Sequence, residues 1–213
     1  MEETLKLIEE TKLMGIIRIS SQEDAETLVQ ASIDSGLKVL SVSLNTVNAL
    51  KVIEKFKDTK GVAVGAGTVL DGESAQKAIN AGASFVMSPY TDNGVVTVCK
   101  NNQVVCIQGA STPTEAMEAR ELGAQIIKLF PADTIGGPSF VKQIHRAISF
   151  LKLMPSGGIS LDNIIEYLKV GAIAVAINNA IYDRSLLRNN DWDGIKERAR
   201  QFVDKVESLK TSK

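Results

Sequence analysis

The chain has 213 residues, 44% of them hydrophobic, and its 24 Lys and Arg against 25 Asp and Glu leave a formal net charge of -1. That length buries a sizeable core and suits one α/β barrel, so a single domain over residues 1–213 is expected. The charge balance gives no basic face for a phosphate backbone and no apolar run reaches the ~18 residues of a membrane span, so neither nucleic acid nor a membrane is an expected partner.

Residues 1–12 are charged and helical in pattern, without the apolar stretch of a signal peptide, which predicts a short amino-terminal helix and a cytoplasmic protein. Thereafter one unit repeats: a helix ends on glycine and a β-branched strand follows at once. Gly36, Gly82, Gly123 and Gly171 mark four copies, spaced by 46, 41 and 48 residues. Each glycine supplies a left-handed C-cap that turns the chain back. Such spacing is about twice one βα unit, so four periods imply eight strands.

The strands are predicted at residues 14–19, 37–43, 62–66, 84–88, 104–107, 125–129, 151–155 and 172–177. Between them run amphipathic helices. One spans residues 21–35 with Ser21 before Asp24 as a cap signal, and another spans 112–122, opened by Thr112, Pro113 and Glu115. Strictly alternating βα units of this number close into a (βα)₈ TIM barrel of the α/β class, with the doubly wound open sheet as rival. The barrel is preferred because no dinucleotide-binding glycine fingerprint follows the first strand, where Gly15 lies inside the strand and Arg18-Ile19-Ser20-Ser21 comes next.

In a barrel the carboxyl ends of the strands build the site. Strand one ends near Arg18. In Leu40-Ser41-Val42-Ser43-Leu44 the period-two alternation turns both serines to one face, where they either serve the site or simply fill the barrel. Strand three runs into Gly65-Ala66-Gly67-Thr68, strand four into Ser88-Pro89-Tyr90, and strand five into Gln108-Gly109. Cys99 and Cys106 straddle a helix end and a strand; with no second pair to complete a zinc site they read as small core fillers. The single histidine, His145, cannot make a triad and a metal site together, and reads as surface or packing.

Strand six, Ile126-Ile127-Lys128-Leu129-Phe130-Pro131, sets one lysine in a buried apolar run. Ile126, Lys128 and Phe130 share one face, and Ile127 and Leu129 the other. Burial strips water from an ammonium, lowers its pKa and frees an amine that attacks carbonyls. The plainer alternative is a lysine that snorkels to solvent or an ion pair. Asp133, just beyond, is either an acid or base of the site or a helix-entry carboxylate. Pro155-Ser156-Gly157-Gly158-Ile159 runs from strand seven towards a helix, where the two glycines suit either anion binding through backbone N–H groups or a tight turn. Asn178 and Asn179 end strand eight, where asparagine tolerates positive φ and donates a side-chain hydrogen bond.

These segments resemble the 2-keto-3-deoxy-6-phosphogluconate / 4-hydroxy-2-oxoglutarate (KDPG/KHG) aldolases, bacterial class I enzymes. The resemblance runs over nearly the whole chain and is carried by Gly65-Ala66-Gly67-Thr68-Val69-Leu70, Ser88-Pro89, Lys128-Leu129-Phe130-Pro131-Ala132 and Pro155-Ser156-Gly157-Gly158-Ile159, in the family's order. It implies that Lys128 is the Schiff-base lysine, that Thr68 helps hold the substrate carboxylate, and that Pro89 and Phe130 line the pocket. It further implies a cytoplasmic homotrimer acting on a small keto acid or keto-sugar acid, with no metal or other cofactor.

Four departures stand out. Ser41 occupies the place of the family's proton-transfer glutamate, and Asn45 that of its substrate-binding arginine. The phosphate-binding Gly-Gly-Ser after strand eight is here Asn178-Asn179-Ala180, while Ser156 replaces a threonine and keeps its hydroxyl. Loss of a general base typically costs ~10²–10⁴ in rate. Arg18, carried at this place by some family members, offers an alternative positive charge. The expectation is therefore a pyruvate-type Schiff-base lyase with an altered substrate, and the rival is a weakened or non-catalytic keto-acid-binding barrel. A phosphosugar isomerase or epimerase is disfavoured, because paired acids at strand ends are missing.

Overall fold

The computed structural model describes residues 1–211. Its elements are α1 Glu2–Thr11, β1 Leu13–Ile17, α2 Gln22–Asp34, β2 Val39–Ser43, α3 Ala49–Phe56, β3 Ala63–Gly67, α4 Gly72–Asn80, β4 Phe85–Met87 and α5 Asn93–Asn101. There follow β5 Val105–Ala110, α6 Pro113–Leu122, β6 Ile126–Leu129, α7 Gly137–Ala147, β7 Leu153–Pro155, α8 Ile164–Lys169, β8 Val175–Ile177, α9 Arg184–Arg188 and α10 Trp192–Thr211. The expected cap signals are made. Ser21 accepts the Asp24 N–H at 3.2 Å, and Thr112 with Glu115 forms a reciprocal capping box. The four helix-ending glycines all have positive φ, between 92° and 123°.

All strand pairs are parallel, in the order β7-β6-β5-β4-β3-β2-β1-β8. The remaining gap closes through a bridge between Ser156 and Ala176 and the Ile173 N–H bond to the Leu153 carbonyl at 2.9 Å. Followed strand to strand from Lys128, the register reaches Ser20 beside β1 one way round and Lys12 the other. The offset, 20 minus 12, is the eight-residue shear of a closed (βα)₈ barrel.

Closure divides the apolar residues into two bodies. Outward-facing Leu40, Val42, Ile127 and Leu129 pack beneath the helices. Inward-facing Met14, Ile16, Val39, Phe85, Met87, Ile107, Ile126 and Met154 fill the barrel. Ile8 of α1, 1% exposed, joins this inner body, and Glu9 pairs with Lys152 at the start of β7, so α1 stoppers the amino-terminal mouth. The carboxyl end is left as the open one.

Candidate active site

The shear determines which inward side chains share a level. In a barrel of this shear each layer holds four side chains, contributed by alternate strands. The register puts Ser41 of β2, Met87 of β4, Lys128 of β6 and Ala176 of β8 in one layer. Ser41 thus stands four strands from Lys128, on the opposite wall. Above them come Ile16, Gly67, Gly109 and Ser156, and above those Ser43, Pro89, Phe130 and Asn178. A Cβ on Gly67 would stand 2.4 Å from Ser41 Oγ, so the serine takes the space a side chain there would need. A Cβ on Gly109 would stand 2.0 Å from the Pro89 carbonyl oxygen, so the close approach of the β4 backbone demands glycine there.

Lys128 is 7% exposed and forms no ion pair among the described residues. Its Nζ lies 4.6 Å from the centre of the Phe130 ring. Burial, with a smaller contribution from the positive charge of Arg18, lowers its pKa from 10.5 to about 8. It opens on a cavity of about 540 Å³, floored by Ile16 and Ala176 and walled by Arg18, Phe130, Ser156 to Ser160 and Asn178 to Ala180. No carboxylate or imidazole lines this cavity. A smaller one of about 270 Å³ adjoins it across Phe130 and holds Pro89, Tyr90, Glu115 and Glu118. Pro89 therefore lines the neighbouring cavity, and Phe130 is the wall common to both.

Three strands contribute a polar cluster at the rim. Ser43 Oγ donates to Thr68 Oγ1 at 2.9 Å, and Arg18 Nη2 reaches the same oxygen at 3.5 Å. Thr68 has φ of 56°, unusual for a β-branched residue and of the kind found at ligand sites. Ser41 is fully buried, and its hydroxyl has no hydrogen-bond partner among the described residues. Asn45 is exposed and does not line the Lys128 cavity.

Several readings of the last loops need correction. No helix follows Gly157-Gly158 directly: α8 starts only at Ile164, and Asn163 fastens the intervening turn through the Ser160 N–H and the Gly158 carbonyl. Both glycines have positive φ, and a Cβ on Gly158 would stand 2.3 Å from Asp133 Cβ, so the pair serves close packing against the loop after β6. Neither Asn178 nor Asn179 has positive φ. The Asn178 amide donates to the Ile16 carbonyl and ties β8 to β1, so it is engaged before any ligand arrives. Asp133 enters no helix, since α7 begins at Gly137; its carboxylate accepts from the Thr134 N–H at 2.9 Å, outside the cavity. Gln108 turns to the helices, where its oxygen accepts the Asp92 N–H that opens α5 and its amide donates to Cys106 Sγ. Cys99 and Cys106 are both buried, as core fillers should be. Ile16 and Ala176, the cavity floor, escaped the sequence reading because apolar residues carry no chemical signal; the alternation Met14, Ile16, Arg18 was the available clue.

Comparison with known proteins bears on this arrangement. The description "KDPG and KHG aldolase" matches residues 4–198. The chain belongs to the KDPG and KHG aldolase family. It is 35% identical to the 2-dehydro-3-deoxy-phosphogluconate aldolase of Treponema pallidum over 76% of this chain and 77% of that one. It is 27% identical to the Haemophilus influenzae enzyme of the same name, over 95% and 96%. A KDPG aldolase structure from Legionella pneumophila, holding pyruvate as a covalent carbinolamine, superposes with a TM-score of 0.83 at 29% identity, covering 91% of this chain and 95% of that one. The present chain pairs a buried low-pKa lysine with a cavity whose lining holds no acid among the described residues.

Proposed function

We propose that the protein is a class I aldolase that makes and breaks a carbon–carbon bond next to pyruvate, with Lys128 as nucleophile and electron sink. The observation that carries this is the lysine itself: buried, without a counter-ion among the described residues, its pKa near 8, and open to a cavity sized for a small keto acid. Relative to an ordinary lysine, that pKa raises the neutral fraction at neutral pH by about 300-fold. The neutral amine attacks the C2 carbonyl, and loss of water gives an iminium. Its positive nitrogen accepts the electron pair of the C3–C4 bond as the C4 hydroxyl gives its proton to water and the aldehyde departs; the enamine left behind takes a proton at C3 from water, and hydrolysis of the resulting iminium releases pyruvate and restores the amine.

Phe130 then walls the imine, and Ser156, one layer above Lys128, offers a hydroxyl at the cavity wall. Thr68 and Arg18 supply donors to the substrate at the rim. The comparisons support this chemistry without fixing the substrate. A second reading, a barrel that forms the imine but turns over slowly, is favoured by the lack of any carboxylate or imidazole in the cavity lining. A homotrimer is proposed on the family resemblance alone, as is a cytoplasmic place; among the described residues no helix is long and apolar enough to cross a membrane.

The test is borohydride reduction in the presence of pyruvate, followed by peptide mapping. A carboxyethyl-sized mass on the peptide containing Lys128, and lost in Lys128→Met, is the expected result. Label on other lysines, or none, removes the mechanism.

A further inference from the structure

Cys99 and Cys106 do more than fill space, because they touch. Cys99 lies near the end of α5 and Cys106 is the second residue of β5. The short turn between the two elements brings the strand back along the helix, with the Val104 N–H bonded to the Cys99 carbonyl at 3.0 Å. Cys106 and Gln108 share the outward face of β5, so the Cys106 sulfur meets α5 rather than the barrel interior. There the Cys99 S–H donates to it. A second donor, the Gln108 amide, reaches the same sulfur at 3.3 Å, and its own oxygen is fixed by accepting the Asp92 N–H at 2.9 Å.

Two donors on one sulfur make the thiols unequal. They stabilise a thiolate at Cys106 and hold its pKa below the ordinary thiol value although burial opposes this, whereas donation to Cys106 and burial push Cys99 up. A favoured thiolate beside a protonated thiol is the arrangement of an attacking sulfur and its resolving partner. Both are buried, at 0% and 1% exposure, so only a small uncharged oxidant suits them. The chain that joins them is exposed from Lys100 to Gln103, and Gln103 holds a φ of 55°, a conformation that costs a residue with a side chain. This helix end is therefore a place for local opening.

We propose that Cys99 and Cys106 are a modification site, a dithiol that hydrogen peroxide converts to a reversible intrachain disulfide. The Cys106 thiolate attacks one peroxide oxygen; the O–O bond breaks, the departing hydroxide takes up the proton that Cys106 released, and Cys106 becomes a sulfenic acid. Cys99 sulfur then attacks Cys106 sulfur, the S–O bond breaks, and the hydroxide leaves as water with the Cys99 proton. In sum two thiols are oxidised by two electrons, and one peroxide is reduced to two waters. The link fastens the end of α5 to the start of β5, at the opposite end of the barrel from the Lys128 cavity, and it is independent of the aldolase reading.

Treatment of the reduced, folded protein with hydrogen peroxide, followed by alkylation and mass spectrometry, tests the proposal. The intact mass should fall by two hydrogens, both thiols should vanish together, a peptide map should join Cys99 to Cys106, and dithiothreitol should restore both. Sulfinic acid as the main product, a link between two chains, or thiols that persist under conditions that oxidise the urea-unfolded protein would overturn it. In Cys99→Ser, Cys106 should stop at the sulfenic acid and be captured by dimedone, whereas in Cys106→Ser the remaining thiol should be lost at least about tenfold more slowly. Equal rates in the two variants overturn the role given to Cys106, and the wild-type map decides the disulfide even where a serine variant fails to fold.

Discussion

Replacing Lys128 by methionine should make the protein more stable, and the gain should depend on pH. The native pKa near 8 lies below the 10.5 of a lysine in the unfolded chain. Between these values the unfolded state binds more protons than the native state, so stability rises with pH across that window. The cost of holding Lys128 in the barrel is fully present below pH 8 and disappears above 10.5. Integrated, it comes to about 3 kcal/mol at pH 7 and about 1 kcal/mol at pH 10. Methionine fills similar space without a charge but gives up the contact between the ammonium and the Phe130 ring, roughly 0.5–1 kcal/mol. A net gain of about 2–3 kcal/mol at pH 7 should raise Tm by roughly 4–12 °C for a chain of this size. Thermal unfolding of both proteins at pH 7 and pH 10 measures it. A lower Tm for Lys128→Met at pH 7, or a gain that does not shrink by pH 10, would refute the claim that this lysine is held in the barrel at a cost in stability.

Two other outcomes follow from the departures at β2 and from the family. Ser41→Glu combined with Asn45→Arg should raise turnover of 2-keto-3-deoxy-6-phosphogluconate by ~10²-fold, because the double variant supplies the missing base opposite Lys128; each single change should fall short of the pair, and kinetics showing no gain would mean that proton transfer is handled elsewhere. Light scattering across micromolar concentrations should give the mass of a trimer, and a monomer throughout would remove that part of the proposal.

The fold could be read from the sequence because its signals are local. Glycine C-caps at 36, 82, 123 and 171, the Ser21 cap and the Thr112-Glu115 capping box each act within a few residues, and all eight strands formed where alternation and β-branching indicated. The boundary of β5 was less visible. Gln108-Gly109 resembles a turn, yet the ladder continues to Ala110 because Gly109 pairs with Lys128. Lys128 itself was conspicuous as a charge in an apolar run. What surrounds it was not. That Ser41 shares its layer follows from the shear of the whole barrel, a sum over all the strand pairs. The meeting of Arg18, Ser43 and Thr68 needs three strands in register, and Thr68 also needs a backbone angle that its residue type disfavours. The loop after β7 misled because two glycines before Ser160-Leu161-Asp162 look like a helix entry, whereas Asn163 closes a turn there and delays α8 to Ile164.

The central claim is that Lys128 attacks a 2-oxo acid inside this barrel, and a crystal soaked in pyruvate tests it most directly. Continuous density should join Lys128 Nζ to C2 of pyruvate, beside the Phe130 ring, with the carboxylate turned towards Arg18 and Thr68. Pyruvate bound without a covalent link at pH 9 or above, where the amine is largely neutral, or attached to another lysine, would contradict it.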